Sequence, residues 1–537
     1  MAKGYLPVDR DQPFLLPPDM REWLPAGHPV WLVIEAVRLL DTSAFHARRR
    51  TGGAGAAGYD PDMLVTLLIW AYANGITSSR RIERLCGQDV AFRVVCAGRA
   101  PDHATIARFR QQFAETAAAL FAEVLLLCAR LGMGRVGTVA LDGTKIAADA
   151  SKEANRTEEG LRKLAAGLAA AHAETDAEED ALFGEGRRGD DDPGDPFTRA
   201  ERVAAALASL EAEREAREAA ERAAAQARLD AARAGTPGRG PRPAAAEVAL
   251  AEEKVARETA AYQARCRARD EAAAAGRRRA SGRPPVPAGE YCRVREARAE
   301  LERARARAAA RAAAGAPGGK GGAGKKKQEP ARRNVTDPGS RLMPVRGGGF
   351  LQGYNPQNVT SEDDLVIATR LTNSPNDVLW YEPMIADAAA AAAMMAAAGG
   401  PGDGRIGLVL ADAGYLSEAN ITCPGPDRLI ATGKRRDLEK RARAAGEDPG
   451  GGGGSPRIAA MAARLAAEQG IAAYRRRAHI GETFHGDLKH NMGIRRLSVR
   501  GTRRASGEWT FAAAVRNLRK AITSGHLTAQ SLAALAG

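Results

Sequence analysis

Two short apolar runs in this chain each lead into an aspartate, and 270 positions separate the two aspartates. Val136–Leu141 runs into Asp142-Gly-Thr-Lys145, and Ile406–Leu410 runs through Ala411 into Asp412-Ala-Gly-Tyr415. Apolar runs of this length, bounded by turn residues, read as buried strands. From about Lys152 to Arg333 the chain changes character and is dominated by Ala, Arg and Glu, as in the stretch Ala204–Ala216. Such sequence favours helix and supplies opposite-charge neighbours, while Leu is too sparse for a coiled-coil seam. Long solvated helices or a helical hairpin must therefore leave the sheet after its first strand and return before its next.

The α/β pattern resumes after Asn334. Phe350–Val359, Leu365–Leu371 and Leu429–Thr432 read as strands, Pro383–Ala398 as a helix, and further helices follow from Arg457, including the segment Tyr474–Asn491. Breaks fall at Gly235–Pro241, Arg283–Pro287 and Gly315–Lys327, and Gly446–Pro456 reads as a flexible linker. The section before residue 133 is helical in pattern. Asp60 opens an apolar helix, Thr77-Ser-Ser79 caps one carrying Arg80, Arg81 and Arg84, and Asp102 caps a third carrying Arg108 and Arg110. Short basic helices joined by tight turns suit a helix-turn-helix-like DNA reader, and a plain helical bundle fits equally well.

The 79 Lys and Arg against 65 Asp and Glu leave a formal charge of +14, which draws the chain towards polyanions. Six cysteines without a C-x-x-C pair exclude a disulfide framework and a zinc-finger spacing, and fit a reducing cytoplasm. The opening residues carry no secretory pattern, and no apolar run is long enough for a bilayer. The expected setting is cytoplasmic and nucleoid-associated, with no membrane.

A single strand-end aspartate is ordinary turn chemistry. Two on neighbouring strands bring carboxylates together, which is costly unless a hard divalent cation such as Mg²⁺ or Mn²⁺ lies between them. On a helix, Arg475, Glu482 and Lys489 are seven apart and share a face, with His485 close to it. The bland alternative is a surface helix with ordinary ion pairing. Gly319–Lys325 mimics a phosphate loop, but Lys326 stands where Ser or Thr is required and no strand precedes it, so it reads as a basic linker. His479, His485 and His490 have no partnering cysteine and read as facing DNA or solvent.

Taken in order, Val139–Ile146, Thr336–Met343, Gly353–Gln357, Ala411–Tyr415 and Tyr474-x-x-Arg477…Glu482…Lys489 resemble the DDE transposases of bacterial insertion sequences. Three features depart from that pattern: the 270-position gap, Phe484-His485, and Pro356. The resemblance implies an RNase H-like mixed-sheet α/β core at 134–151 and 334–525, a helical DNA-binding domain at 1–133, a helical insertion at 152–333 and a tail at 526–537. It also implies that Asp142, Asp412 and Glu482 hold two Mg²⁺ or Mn²⁺ ions about 3.5–4 Å apart, for cleavage at element ends and strand transfer into target DNA. Lys489 would grip a phosphate, assisted by Arg475 or Arg477, with Tyr474 packing or touching DNA. The partners would be terminal inverted repeats, target DNA and a second copy of the chain. A catalytically inactive DNA-binding regulator and another RNase H-like nuclease are the competing readings.

Overall fold

Residues 19–47, 57–168, 199–233, 244–275, 285–315, 331–345, 348–433 and 455–536 are described by a computed structural model. The sequence breaks at 235–241 and 316–327, the phosphate-loop mimic and most of the 446–456 linker lie outside these residues. Two compact units emerge, Met1–Ala206 with Arg333–Gly537, and Leu207–Arg332. The first is a mixed α/β unit with more helix than strand.

Among the described residues its sheet has seven strands: β1 (Thr138–Gly143), β2 (Ile146–Ala147), β3 (Arg341–Pro344), β4 (Phe350–Thr360), β5 (Val366–Thr372), β6 (Leu408–Ala411) and β7 (Asp427–Ile430). The long β4 organises it. Its second half pairs antiparallel with β1 and β5, and its first half with β2 and β3. β1, β6 and β7 run parallel to one another. The strands expected from the apolar runs are present within a few residues. β2 and β3 were not read as strands, because two to four residues give too little alternation to register.

Ahead of the sheet come α1 (Pro29–Arg38), α2 (Pro61–Ala73), α3 (Ser79–Gln88), α4 (Val90–Val95), α5 (His103–Gln111) and α6 (Phe113–Arg130). Asp60 and Asp102 cap α2 and α5 through their side chains, whereas Ser78 makes no side-chain cap on α3. These helices share one hydrophobic core with the sheet and with the C-terminal α13 (Thr502–Thr523). Phe511 of α13 stacks on Phe113 at 4.1 Å and meets Tyr72 edge-on at 5.1 Å. The contact is so close that a β-carbon on Gly507 would lie 2.5 Å from the Phe113 backbone. Between β5 and β6 lies α10 (Tyr381–Ala397), and α11 (Pro456–Ala466) and α12 (Glu468–Arg477) follow β7.

The insertion contains α7 (Arg199–Arg233), α8 (Ala244–Ala274) and α9 (Cys292–Gly315). Lys254–Glu300, Glu252–Arg305 and Glu247–Arg307 ion pairs run in opposite order along α8 and α9, so the two lie antiparallel. Their shared apolar patch is small: Ala251, Leu301 and Ala304, with Val248 and Val255 beside them. Composition foretold both properties, since Ala, Glu and Arg make helix readily and bury little.

Arg110 corrects an expectation. Read as a DNA contact, it is instead buried, and its guanidinium donates to Thr77 O at 2.6 Å and Glu508 Oε1 at 2.8 Å, and to Ser498 Oγ. Tyr72 also donates to Glu508 at 2.8 Å. The pair ties α5 to α13, so the charge is spent inside the core. Arg80, Arg81, Arg84 and Arg108 are exposed, as a nucleic-acid face requires. Arg110→Ala leaves Glu508 buried and short of its counter-charge, and should cost about 3–5 kcal/mol in urea unfolding. Its DNA affinity per folded molecule should match the parent, whereas Arg84→Ala should show the opposite pattern.

Candidate functional site

The geometry starts from register. β1 and β6 pair parallel with Leu141 opposite Ala411, so the next residues, Asp142 and Asp412, stand side by side at the carboxyl ends of neighbouring strands. Parallel neighbours lie about 4.8 Å apart, and ligands in open α/β sheets gather at this end. Both aspartates line one cavity of about 1300 Å³.

Glu482 reaches the same cavity from the segment after α12. That segment is not a regular α-helix. Ala478–Glu482 and Asp487–Asn491 are π-helical turns flanking a short α-helical stretch, Thr483–Gly486. A π turn brings residues five apart into register, which an α-helix does not. Arg477 can therefore meet Glu482 at 3.2 Å while also lying 3.6 Å from Asp142. Gly481 is buried against β1, where a β-carbon would lie 3.5 Å from those of Ala140 and Asp142. Opposite this contact, Phe484 packs edge-on to Trp509, and Asp487 pairs with Arg516 at 3.3 Å and Arg519 at 2.5 Å of α13. Arg516 in turn bonds Asp364 at 2.6 Å at the start of β5.

Arg475, Glu482 and Lys489, seven apart in sequence, do all line the cavity. Lys489 is anchored, donating to Thr144 Oγ1 at 2.5 Å and Lys145 O at 3.0 Å. Arg475 is exposed and makes no ion pair among the described residues. Tyr474 donates to Ala411 O at 3.3 Å and lies under the Arg477 guanidinium, so its hydroxyl fixes the strand end that carries Asp412. His485, expected to face DNA or solvent, is nearly enclosed, with Nε2 3.5 Å from Asp142 and neither ring nitrogen hydrogen-bonded. Sequence reading missed Thr144, Lys145 and Asp377 as cavity residues. Asp142-Gly-Thr-Lys145 had flagged the first two only as part of a motif.

Burial dominates the electrostatics of the two aspartates. Burial pushes the Asp142 carboxyl up to about 7 despite Arg477, and Asp412 and Glu482 push it the same way. At about 1.4 kcal/mol per unit, ionising it costs on the order of 4 kcal/mol more than in water. Burial also raises Asp412, with Asp377 adding to the effect and the Gly414 N–H and Arg477 opposing it. Burial lowers Lys489, and burial with Lys489 and Arg516 lowers His485 to about 3, so the imidazole is neutral. The three site carboxylates are not drawn tight. Among the described residues, the trio with ligand atoms all within 4.8 Å of one another is His46, Asp60 and Asp62 in the front helices. There His46 already bonds Asp62 at 2.9 Å. In the cavity, Arg477 sits between Asp142 and Glu482.

Residues 18–112 match the family model described as Transposase domain (DUF772), and residues 456–522 match the one described as Transposase DDE domain. No curated protein and no solved structure matches the chain. The first match covers the front helices with their exposed arginines, and the second covers Arg475, Arg477, Glu482 and Lys489. A DDE domain marks a DNA-processing enzyme, and the family implies DNA binding. No single helix among the described residues is long and apolar enough to cross a membrane. A transposase model matched in the front section and a transposase DDE model matched near the end together support a DDE transposase of insertion sequences.

Proposed function

We propose that this protein cuts DNA at the ends of an insertion sequence and joins the freed ends to target DNA, at a site built from Asp142, Asp412 and Glu482 on an RNase H-like core. The observation that carries the reading is the convergence of these three carboxylates, from two register-matched parallel strands and a facing helix, on one cavity rimmed by Lys145, Arg475, Arg477 and Lys489. The strand order supports the core assignment: β5, β4 and β1 form an antiparallel meander that continues into parallel β6 and β7.

The donor set fits a hard divalent cation. It is all carboxylate oxygen, and the Asp142 carboxyl, raised first by burial and then by Asp412 and Glu482 despite Arg477, would ionise more readily beside a further positive charge. Mg²⁺ or Mn²⁺ bound there would supply that charge and polarise a phosphodiester. The chain's residues do the holding. Lys489 donates two of its three N–H groups to Thr144 and Lys145, which leaves one for a phosphate oxygen. Arg475 is free to take a second phosphate. Arg477 keeps Asp142 and Glu482 company until their charge is otherwise met, and then offers its planar fork to DNA. Water, and later a 3′-hydroxyl, replaces one phosphate ester bond at each step, so no nucleotide triphosphate is consumed.

Asp142→Asn, Asp412→Asn and Glu482→Gln keep shape but lose the charge. Each should abolish Mg²⁺-dependent cutting of labelled element ends while end binding persists in a gel-shift assay. Near-parental cutting by any of them removes that residue from the site. Lys489→Ala should flatten the salt dependence of binding by about one phosphate contact. A parental slope with parental joining would make it a structural lysine.

A further inference from the structure

We infer that Asp377 is a fourth acidic member of this site, a positioning residue whose free carboxylate oxygen accepts a hydrogen bond from the hydration water of a divalent ion held at Asp412. The inference rests on the metal site proposed above and adds a residue to it. Asp377 follows β5 and precedes the 3₁₀ turn Val378–Trp380. An aspartate there would ordinarily cap the turn, yet its side chain makes no capping hydrogen bond.

Its Oδ1 is fixed from three directions. Asn355 Nδ2 donates at 2.6 Å, Gln357 Nε2 donates at 2.7 Å, and the Lys145 ammonium lies 3.7 Å away. Asn355 and Gln357 are two apart on β4 and so share a face, and both are fully buried. The Gln357 amide cannot turn round, because its Oε1 accepts from the buried Tyr415 hydroxyl. Asp377 is thus oriented by a chain of buried polar groups with no capping task to explain it.

The other oxygen, Oδ2, has no hydrogen-bond partner among the described residues and faces Asp412. A β-carbon on Gly414 would lie 3.0 Å from Asp412 Oδ1 and 3.1 Å from Asp377 Oδ2. A β-carbon on Gly143 would lie 2.7 Å from Gln357 Nε2 and 3.0 Å from Asp377 Oδ1. Gly143 at the end of β1 and Gly414 beyond β6 leave the room that lets Asp377 settle between the two strand ends. A carboxylate held by donors on one oxygen and open on the other is suited to orient an ion's water, and Mg²⁺ keeps several of its waters when bound.

The test is Mn²⁺ titration of the full-length protein without DNA, with free Mn²⁺ read by electron paramagnetic resonance and melting followed in parallel. Asp377→Asn should bind Mn²⁺ about tenfold or more weakly with an unchanged melting temperature, and Asp377→Glu should recover part of the loss. Asp387→Asn, which removes a carboxylate paired with Arg370 away from the cavity, should bind as the parent does. If the new amide meets its donors badly and melting falls, Asp377→Ser removes the carboxylate without adding a second donor group there and is read in the same way. Weakened binding in Asp412→Asn with parental binding in both Asp377→Asn and Asp377→Ser overturns the inference and leaves the three-carboxylate site standing. Parental binding in Asp412→Asn as well would remove the proposed site itself.

Discussion

Parallel pairing between β1 and β6 is the constraint on which the rest of the site depends. Side-by-side aspartates need two strand ends pointing the same way, and parallel neighbours cannot be joined by a tight turn. The intervening chain must leave, cross and return. Part of that path is the antiparallel pair β4 and β5 followed by α10, and part is the helical insertion after β1. Since β1 already has its partners within the first unit, the insertion can be long without disturbing the register Leu141 opposite Ala411.

Burying a carboxylate at this strand end carries a cost that shows in Asp142, held up to about 7 first by burial and then by its acidic neighbours. The fold meets this with cations carried on one irregular helical segment. Two π turns set Arg477 against Asp142 and Glu482, and set Lys489 against the loop after β1. The buried network of Asp487, Arg516 and Asp364 holds that segment to α13 and to the start of β5. α13 also packs on α6 and anchors Arg110 through Glu508. The front helices, the sheet and the Glu482 segment are therefore parts of one packed unit, and a shift of α13 would reach the cavity.

Much of this was legible locally. Strand ends at Asp142 and Asp412 follow from apolar runs with turn residues after them, and the seven-residue spacing of Arg475, Glu482 and Lys489 does converge on one cavity. Gly481, a poor helix former, is where the segment lies against β1. What stayed hidden needed long-range partners. Arg110 reads as a surface cation until Glu508, 398 positions away, is packed beside it. Asp377 reads as turn chemistry until β4 supplies Asn355 and Gln357. The Arg477–Glu482 pair, five apart, appears only with a π turn, which no propensity encodes. His485, without a partnering cysteine, reads as facing DNA or solvent, and its enclosure follows from how that segment packs.

If Asp142, Asp412 and Glu482 together form one divalent-cation site, manganese should gather there. A crystal of the full-length protein grown with Mn²⁺, measured at the manganese absorption edge, tests it most directly. Anomalous density is expected between the Asp142 and Asp412 carboxylates with Glu482 turned towards it, and the Arg477 guanidinium withdrawn from Asp142. Manganese density only elsewhere, at His46, Asp60 and Asp62 for example, with Arg477 still between Asp142 and Glu482, would contradict it.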